Sequence, residues 1–230
     1  MKARTGTRVL VSGLGSSAGI EAVVAGTADV GTSSRDLKPS EETLGLVDTP
    51  VAFDGIAVIV SPANPIAGLT TGQLKDIFSG KITNWREVGG TDATIDLVNR
   101  DEASGTREAF KKMVMGDVDF DPAAAVLPGT GQVRDVVARA TGAIGYISAG
   151  FVEPRFTDVR VKALDVDGIA PAEKNIADGT YPIGRTLHFF TKGPPAGLAK
   201  EYVDYVRSEV VQKGVVMDAG FIPVGEGGKP

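Results

Sequence analysis

Apolar and polar positions along this chain follow two periods, and the changes of period mark where elements begin and end. Gly55-Ile56-Ala57-Val58-Ile59-Val60-Ser61 is a continuous apolar run, the pattern of a strand covered on both faces. Gly142-Ala143-Ile144-Gly145-Tyr146-Ile147 reads the same way, and residues 187–191 read as a further strand. Residues 7–12, 27–35 and 94–98 predict shorter strands, and residues 159–164 an alternating, half-exposed one. Helical spacing appears over residues 69–80, with Leu74, Ile77 and Phe78 inward and Gly80 closing the element. It appears again over 20–25, over 131–140 with Val133, Val136 and Val137, and over 195–213. The last of these predicts one long helix burying Leu198, Tyr202, Val206 and Val210. A short closing element spans 214–224, with Gly220 as a helix C-cap, and Trp85 and Tyr146 are read as packing residues. Strands alternating with helices predict an α/β fold with mainly parallel sheets, and ligands at the carboxyl ends of strands.

One such strand end stands out. After Thr94-Ile95-Asp96-Leu97-Val98 comes Asn99-Arg100-Asp101-Glu102-Ala103-Ser104-Gly105-Thr106-Arg107, and then a helix carrying Phe110, Met113 and Val114 on one face. A helix that opens on Ser104-Gly105-Thr106 offers unpaired backbone N–H groups, two hydroxyls, no bulk at the glycine and the positive end of the helix dipole. Those are the requirements of an anion site. Arg100 adds a cation. Glu102 adds a carboxylate, which fits a negative ligand only if that ligand still carries a proton. The plainer reading makes Ser104 an N-cap, Gly105 a turn residue, and Arg100 and Glu102 a solvated ion pair.

Composition narrows the choice. The 230 residues carry a net charge of -5, which argues against nucleic acid as a partner. There is no cysteine, so no disulfide, thiolate or cysteine-ligated metal. The single histidine, His188, lies in the apolar run 186–190 and reads as a strand residue rather than a ligand or base. The 30 glycines and 13 prolines suit many short strand-to-helix turns. No run approaches the roughly 20 apolar residues of a membrane span, and Met1-Lys2-Ala3-Arg4 is followed by polar residues rather than the apolar core of a secretory signal.

Two more strand ends resemble the first. Gly13-Leu14-Gly15-Ser16-Ser17-Ala18-Gly19 is glycine-rich and leads into a helix, though its spacing is not the dinucleotide fingerprint. Thr27-Ala28-Asp29-Val30-Gly31-Thr32-Ser33-Ser34-Arg35 ends in hydroxyls and an arginine, which either adds positive field or pairs with Asp29 or Asp36; the pairing is favoured. If the three ends converge they form a pocket of N–H and O–H donors around a compact oxyanion.

These segments, together with Ile77-Phe78-Ser79-Gly80-Lys81-Ile82-Thr83-Asn84-Trp85, Gly142-Ala143-Ile144-Gly145-Tyr146 and Gly220-Phe221-Ile222-Pro223, occur in an order that resembles the substrate-binding proteins of phosphate ABC transporters. The resemblance implies an α/β, two-lobed type II periplasmic-binding-protein fold that closes on its ligand by a hinge. It implies a first lobe of residues 1–55 plus 187–230, a second of 58–183, and crossing strands near 55–60 and 184–190. Carried over position by position, it places phosphate on Ser16, Ser34, Arg100, Glu102, Ser104, Gly105 and Thr106, with Glu102 accepting the proton of the hydrogen phosphate dianion. A site built for that proton would reject sulfate by something like 10⁴-fold. The implied partners are inorganic phosphate and a membrane permease, in the periplasm or on the extracellular face, with no nucleic acid, no cofactor, no metal and no catalytic residue.

In the family a strand and a Gly-Ser-Thr-Thr-like turn precede the strand read here at residues 7–12, with a helix between. The expectation is that this chain starts inside that helix, Met1-Lys2-Ala3-Arg4 being its last turn, and that part of the phosphate site is missing. That would weaken binding and leave a sheet edge open to self-association. The alternatives are a binding protein for another tetrahedral oxyanion such as sulfate or molybdate, a structural protein that keeps the fold without the ligand, and an enzyme using Ser104 as nucleophile, which lacks a nearby base.

Overall fold

The computed structural model describes residues 8–13, 15–153 and 158–225. Met1-Lys2-Ala3-Arg4, expected to be a helical turn, lies outside the described residues, as does Thr7. The strands are β1 (Gly31–Ser33), β2 (Leu46–Val60), β3 (Gly68–Leu69), β4 (Asp96–Arg100), β5 (Ala125–Leu127), β6 (Ala143–Ser148), β7 (Lys162–Ala163), β8 (Asp165–Val166), β9 (Gly184–Lys192) and β10 (Ile222–Pro223). The helices are α1 (Ser16–Val24), α2 (Thr71–Phe78), α3 (Gly105–Phe110), α4 (Thr130–Arg139), α5 (Glu173–Ala177), α6 (Gly197–Arg207) and α7 (Glu209–Val211). Wider π turns continue α3 through Lys111–Met115 and α7 through Gln212–Val216.

β2 organises the molecule. Its first part, through Gly55, pairs antiparallel with β9; its last five residues, from Ile56, pair antiparallel with β6. The larger sheet therefore runs β1-β9-β2-β6-β4-β5, with β7 and β10 also on β2, while β3 and β8 pair separately. Only β4 with β5, β4 with β6, and β3 with β8 are parallel, so the expectation of mainly parallel sheets is corrected to a mixed sheet. A strand that serves two neighbourhoods must be entered from both ends, and the returning β9 and β6 meet it head to tail.

Alternation on β2 and β6 explains why both are apolar throughout. Ile56, Val58, Val60, Ile144 and Tyr146 face one core with Leu74, Ile77, Phe78, Trp85 and Phe110. Ala57, Ile59, Ala143 and Ile147 face the other, with Val98, Val133 and Val137. Tyr146 stacks on Phe110 at 4.2 Å between ring centres, and Trp85 Nε1 donates to the Gly142 carbonyl at 3.0 Å, so both aromatics pack as expected. On the first half of β2, α6 covers Val51 and Phe189 through Val203.

Several sequence expectations change here. Residues 9–13 carry no strand, and Leu10 and Val11 are exposed. α1 begins at Ser16, not residue 20, which puts both serines in its first turn. Val136 is 40% exposed, leaving Val133 and Val137 to hold α4. The expected 195–213 helix breaks at Ser208, whose backbone is extended (ψ 147°), so that beyond the break Val211 is buried and Val210 exposed; on α6 itself Val203 is buried and Leu198 exposed. Residues 159–164 contribute only the short β7.

Candidate anion-binding site

The three segments come together, although the one before Ser16 does not end a strand. α1 opens at Ser16 behind Gly15, which has φ +93°; a Cβ on Gly15 would sit 2.5 Å from the Ala103 carbonyl oxygen, so only glycine allows this approach. Ser16 Oγ accepts from the Ser34 backbone N–H at 3.0 Å and lies 3.4 Å from Ser34 Oγ. α3 opens at Gly105, and a Cβ there would meet Ser16 Oγ at 2.0 Å and Ser34 Oγ at 2.6 Å. The starts of two helices and three hydroxyl-bearing segments thus share one small space, and the first N–H groups of each helix have no carbonyl of their own helix to bond.

Ser104 caps α3 by accepting from the Arg107 N–H at 3.2 Å, which leaves its own hydroxyl hydrogen to donate elsewhere. Ser104 and Thr106 are both buried. The plain capping role and the anion role are compatible in one side chain.

Arg100, at the end of β4, is 8% exposed. Its guanidinium donates only to neutral oxygens: Leu127 O (3.2 Å), Pro128 O (2.9 Å) and Thr130 Oγ1 (3.2 Å). Burial pushes it below the ordinary guanidinium range; Asp101 works against that and the charge of Arg185 adds to it. The ion pair of the plainer reading does not form: the Arg100 guanidinium is bonded elsewhere and Glu102 is exposed.

Arg185, which sequence reasoning missed, reaches the same place from β9. Its Nη1 donates to Thr106 Oγ1 at 2.8 Å and to the Ser34 carbonyl at 3.4 Å. Nε and Nη2 hold Asp54 Oδ2 at 2.9 and 2.7 Å, and Ser148 Oγ donates to Asp54 Oδ1 at 2.8 Å. Asp54 and Arg185 are register partners on β2 and β9, so the pair is cross-strand. The only local signal was a charge inside each of two apolar strands.

Arg35 pairs as favoured, but with another partner: its guanidinium holds Glu41 at 2.7 and 2.9 Å rather than Asp29 or the Asp36 carboxylate. His188 is a buried strand residue with Nδ1 2.8 Å from Asp48. Among the described residues no cluster of three or more His, Cys, Asp or Glu could hold a metal ion. A cavity of about 660 Å³ opens beside Arg185 and is lined by Arg35, Lys38 and Lys112 as well. Each of these cations is paired, with Glu41, Glu108 and Asp36 respectively, so the cavity presents no free charge to an anion.

Two helix starts meeting among hydroxyl-bearing segments on a mixed sheet fit a solute-binding class of protein. In agreement, residues 1–210 match the PBP superfamily domain. The phosphate-binding protein PstS of Bacillus subtilis (strain 168) is 40% identical over 91% of this chain and 69% of its own length. PstS of Pseudomonas aeruginosa is 30% identical over 94% of this chain and 74% of its own. A crystal structure of a putative phosphate ABC transporter substrate-binding protein with bound phosphate, from Clostridium perfringens, superposes with a TM-score of 0.85 at 36% identity, covering 92% of this chain and 86% of that one. An ABC-type phosphate transport receptor from Vibrio cholerae gives 0.78 at 36% identity, covering 94% and 88%. The chain belongs to the PstS family of phosphate-binding proteins.

Proposed function

We propose that this chain captures inorganic phosphate on Ser16, Ser34, Arg100, Glu102, Ser104, Gly105 and Thr106 and delivers it to the permease of an ABC transporter, in the periplasm or on the extracellular face. It acts as a binding protein and not as a catalyst. The observation that carries the reading is the seating of α3's first residue, Gly105, directly on Ser16 and Ser34, with the buried and uncancelled charge of Arg100 at the preceding strand end. A compact anion with several oxygens uses such a set of short hydroxyl and N–H donors fully, and a cation held by neutral carbonyls keeps its charge for the ligand. Residues 1–55 plus 187–230 form one lobe and 58–183 the other, joined by crossing strands near 55–60 and 184–190. This division is supported by the two-sided pairing of β2 and puts Ser16 and Ser34 on one lobe and Arg100 to Thr106 on the other. Closure then brings the two donor sets together.

Isothermal titration calorimetry with phosphate, and with sulfate as control, tests the proposal at neutral pH. Saturable phosphate binding with no sulfate binding is expected; silence toward phosphate, or equal affinity for sulfate, would refute it. Among the described residues no helix is long and apolar enough to cross a membrane.

A further inference from the structure

The geometry points to Arg185 as a positioning residue of the phosphate site, one that aims the Thr106 hydroxyl hydrogen at the anion and is itself aimed by Asp54 and Ser148. The inference rests on the phosphate reading given above and assigns a role to three residues outside the set of phosphate ligands.

A threonine hydroxyl has one hydrogen to give and two lone pairs to offer. Near a helix start its hydrogen has an easy local partner, a backbone carbonyl three or four residues back, and a hydrogen spent there is lost to a ligand. At Thr106 the arrangement is reversed: Arg185 Nη1 donates into Oγ1 at 2.8 Å. An N–H pointing at the oxygen repels the hydroxyl hydrogen, which turns to the opposite side, and Thr106 is 6% exposed, so water is not at hand to compete. The hydroxyl thereby becomes a fixed donor on the first turn of α3, next to the N–H groups of the same turn.

Arg185 is held in position for this by its other partners. Two of its nitrogens are committed to Asp54 Oδ2, the second Asp54 oxygen accepts from Ser148, and Asp54 and Arg185 are 1% and 8% exposed. The carboxylate cancels the guanidinium's charge, so Arg185 does not attract the anion by its own field as Arg100 does. Its third nitrogen spans Thr106 Oγ1 and the Ser34 carbonyl at 3.4 Å, and so ties the start of α3 to the segment carrying Ser34. A lysine could keep the charge but not the fork that reaches Asp54 and Thr106 together.

The test is a double-mutant cycle read by phosphate titration, on the wild type, Thr106→Val, Asp54→Asn with Arg185→Gln, and the three changes combined. Changing Asp54 and Arg185 together avoids stranding a buried charge. The expected result is a loss of affinity of about tenfold or more for Asp54→Asn with Arg185→Gln in the wild-type background, the value of one well-aimed hydrogen bond to a charged ligand. In the Thr106→Val background the same pair of changes should cost less than about twofold, and Thr106→Ser should restore the full effect. Equal losses in both backgrounds would show a general structural role and overturn the inference, as would no loss in either. If the paired change does not fold by circular dichroism, Arg185→Lys takes its place in the same cycle with the same expected coupling. A wild type that binds no phosphate refutes the phosphate reading itself and this inference with it; a wild type that binds, with an uncoupled cycle, refutes only the role of Arg185.

Discussion

Arg185 lies buried against the start of α3 and Arg100 at the end of β4, against the start of α4, and their surroundings differ in one respect that sorts their roles. Arg185 faces a carboxylate, Asp54, at 2.7 Å; Arg100 faces two carbonyls and a hydroxyl. A buried charge without a counter-charge is held at a cost of several kcal/mol of lost solvation, and in the phosphate site proposed above that cost is recovered only when the anion arrives. On that proposal the paired arginine holds the frame and the unpaired one meets the ligand. Burial and the neighbouring Arg185 both press Arg100 toward the neutral form, yet a guanidinium stays charged at any physiological pH, so the strain is stored rather than relieved by titration.

The largest expected effect comes from closing the space between Gly105 and the serines Ser16 and Ser34. Gly105→Ala puts a methyl group where Ser16 Oγ and Ser34 Oγ already are, with both arginines untouched. The start of α3 must move off the serines, and losing two charge-assisted hydrogen bonds costs roughly 3–6 kcal/mol, or about 10²–10⁴-fold in phosphate affinity by calorimetry. Retained affinity would mean that the anion does not sit at this junction at all.

Next come the arginines themselves, where the comparison predicts opposite profiles. Arg185→Met strands the Asp54 carboxylate and should lower the stability of the ligand-free protein by about 3–5 kcal/mol in urea denaturation. Arg100→Met strands no charge and relieves the lost solvation, offset by the hydrogen bonds given up, so it should change the stability by about 1 kcal/mol or less while weakening phosphate by roughly 10–100-fold. Similar stability losses for the two variants would erase the distinction.

How far this arrangement could be read from the residues follows the same division between local and distant interactions. The start of α3 was legible because its cap, glycine and dipole lie within Ser104-Gly105-Thr106, and α2 was legible because Leu74, Ile77 and Phe78 repeat at helical spacing. The apolar second half of β2 was legible too. Its first half was not, since Asp48, Pro50 and Asp54 interrupt the pattern and the register shifts between Pro50 and Ala52. Arg185 was invisible for a stronger reason: its partners Asp54 and Thr106 are far away in sequence, and nothing local distinguishes a paired strand arginine from an exposed one. The burial of Val211 in place of Val210 depended on a break at Ser208 that no glycine or proline announces.

Arg35 extends the comparison to a third cation and gives it a pH signature. Its bidentate partner Glu41 is held below the usual carboxylate range, first by the hydrogen bonds from Arg35, against a smaller opposing effect of burial. A carboxylate with a depressed folded pKa contributes stability above its unfolded value of 4.5, and that contribution fades as pH falls through the lower folded value. With side chains 4% and 15% exposed, the pair should contribute roughly 1 kcal/mol at neutral pH. Glu41→Gln should therefore lower stability near pH 7 and flatten the loss below pH 4.5. An unchanged acid limb in the variant would remove Arg35 from the class of paired, structural cations.

The smallest effect is assigned to Glu102, the exposed one among the proposed phosphate contacts. Its carboxylate is exposed, whereas Ser104, Gly105 and Thr106, the next residues but one onward, are buried. As acceptor of the ligand's proton it would make a hydrogen bond open to water on one side, which limits its contribution to about 0.5–1.5 kcal/mol, or roughly 2–10-fold in affinity. Glu102→Gln replaces one acceptor oxygen by an N–H₂ donor, so phosphate should weaken by that factor while sulfate, which has no proton to give, should gain. Competition titrations with both anions read the two changes together. If neither anion responds, the acceptor for the phosphate proton must be sought among the hydroxyl oxygens of Ser16 and Ser34, which already sit 3.4 Å apart on the far side of Gly105. Discrimination would then come from buried hydroxyls that can accept as well as donate, and the selectivity against sulfate would be lower than a dedicated carboxylate provides.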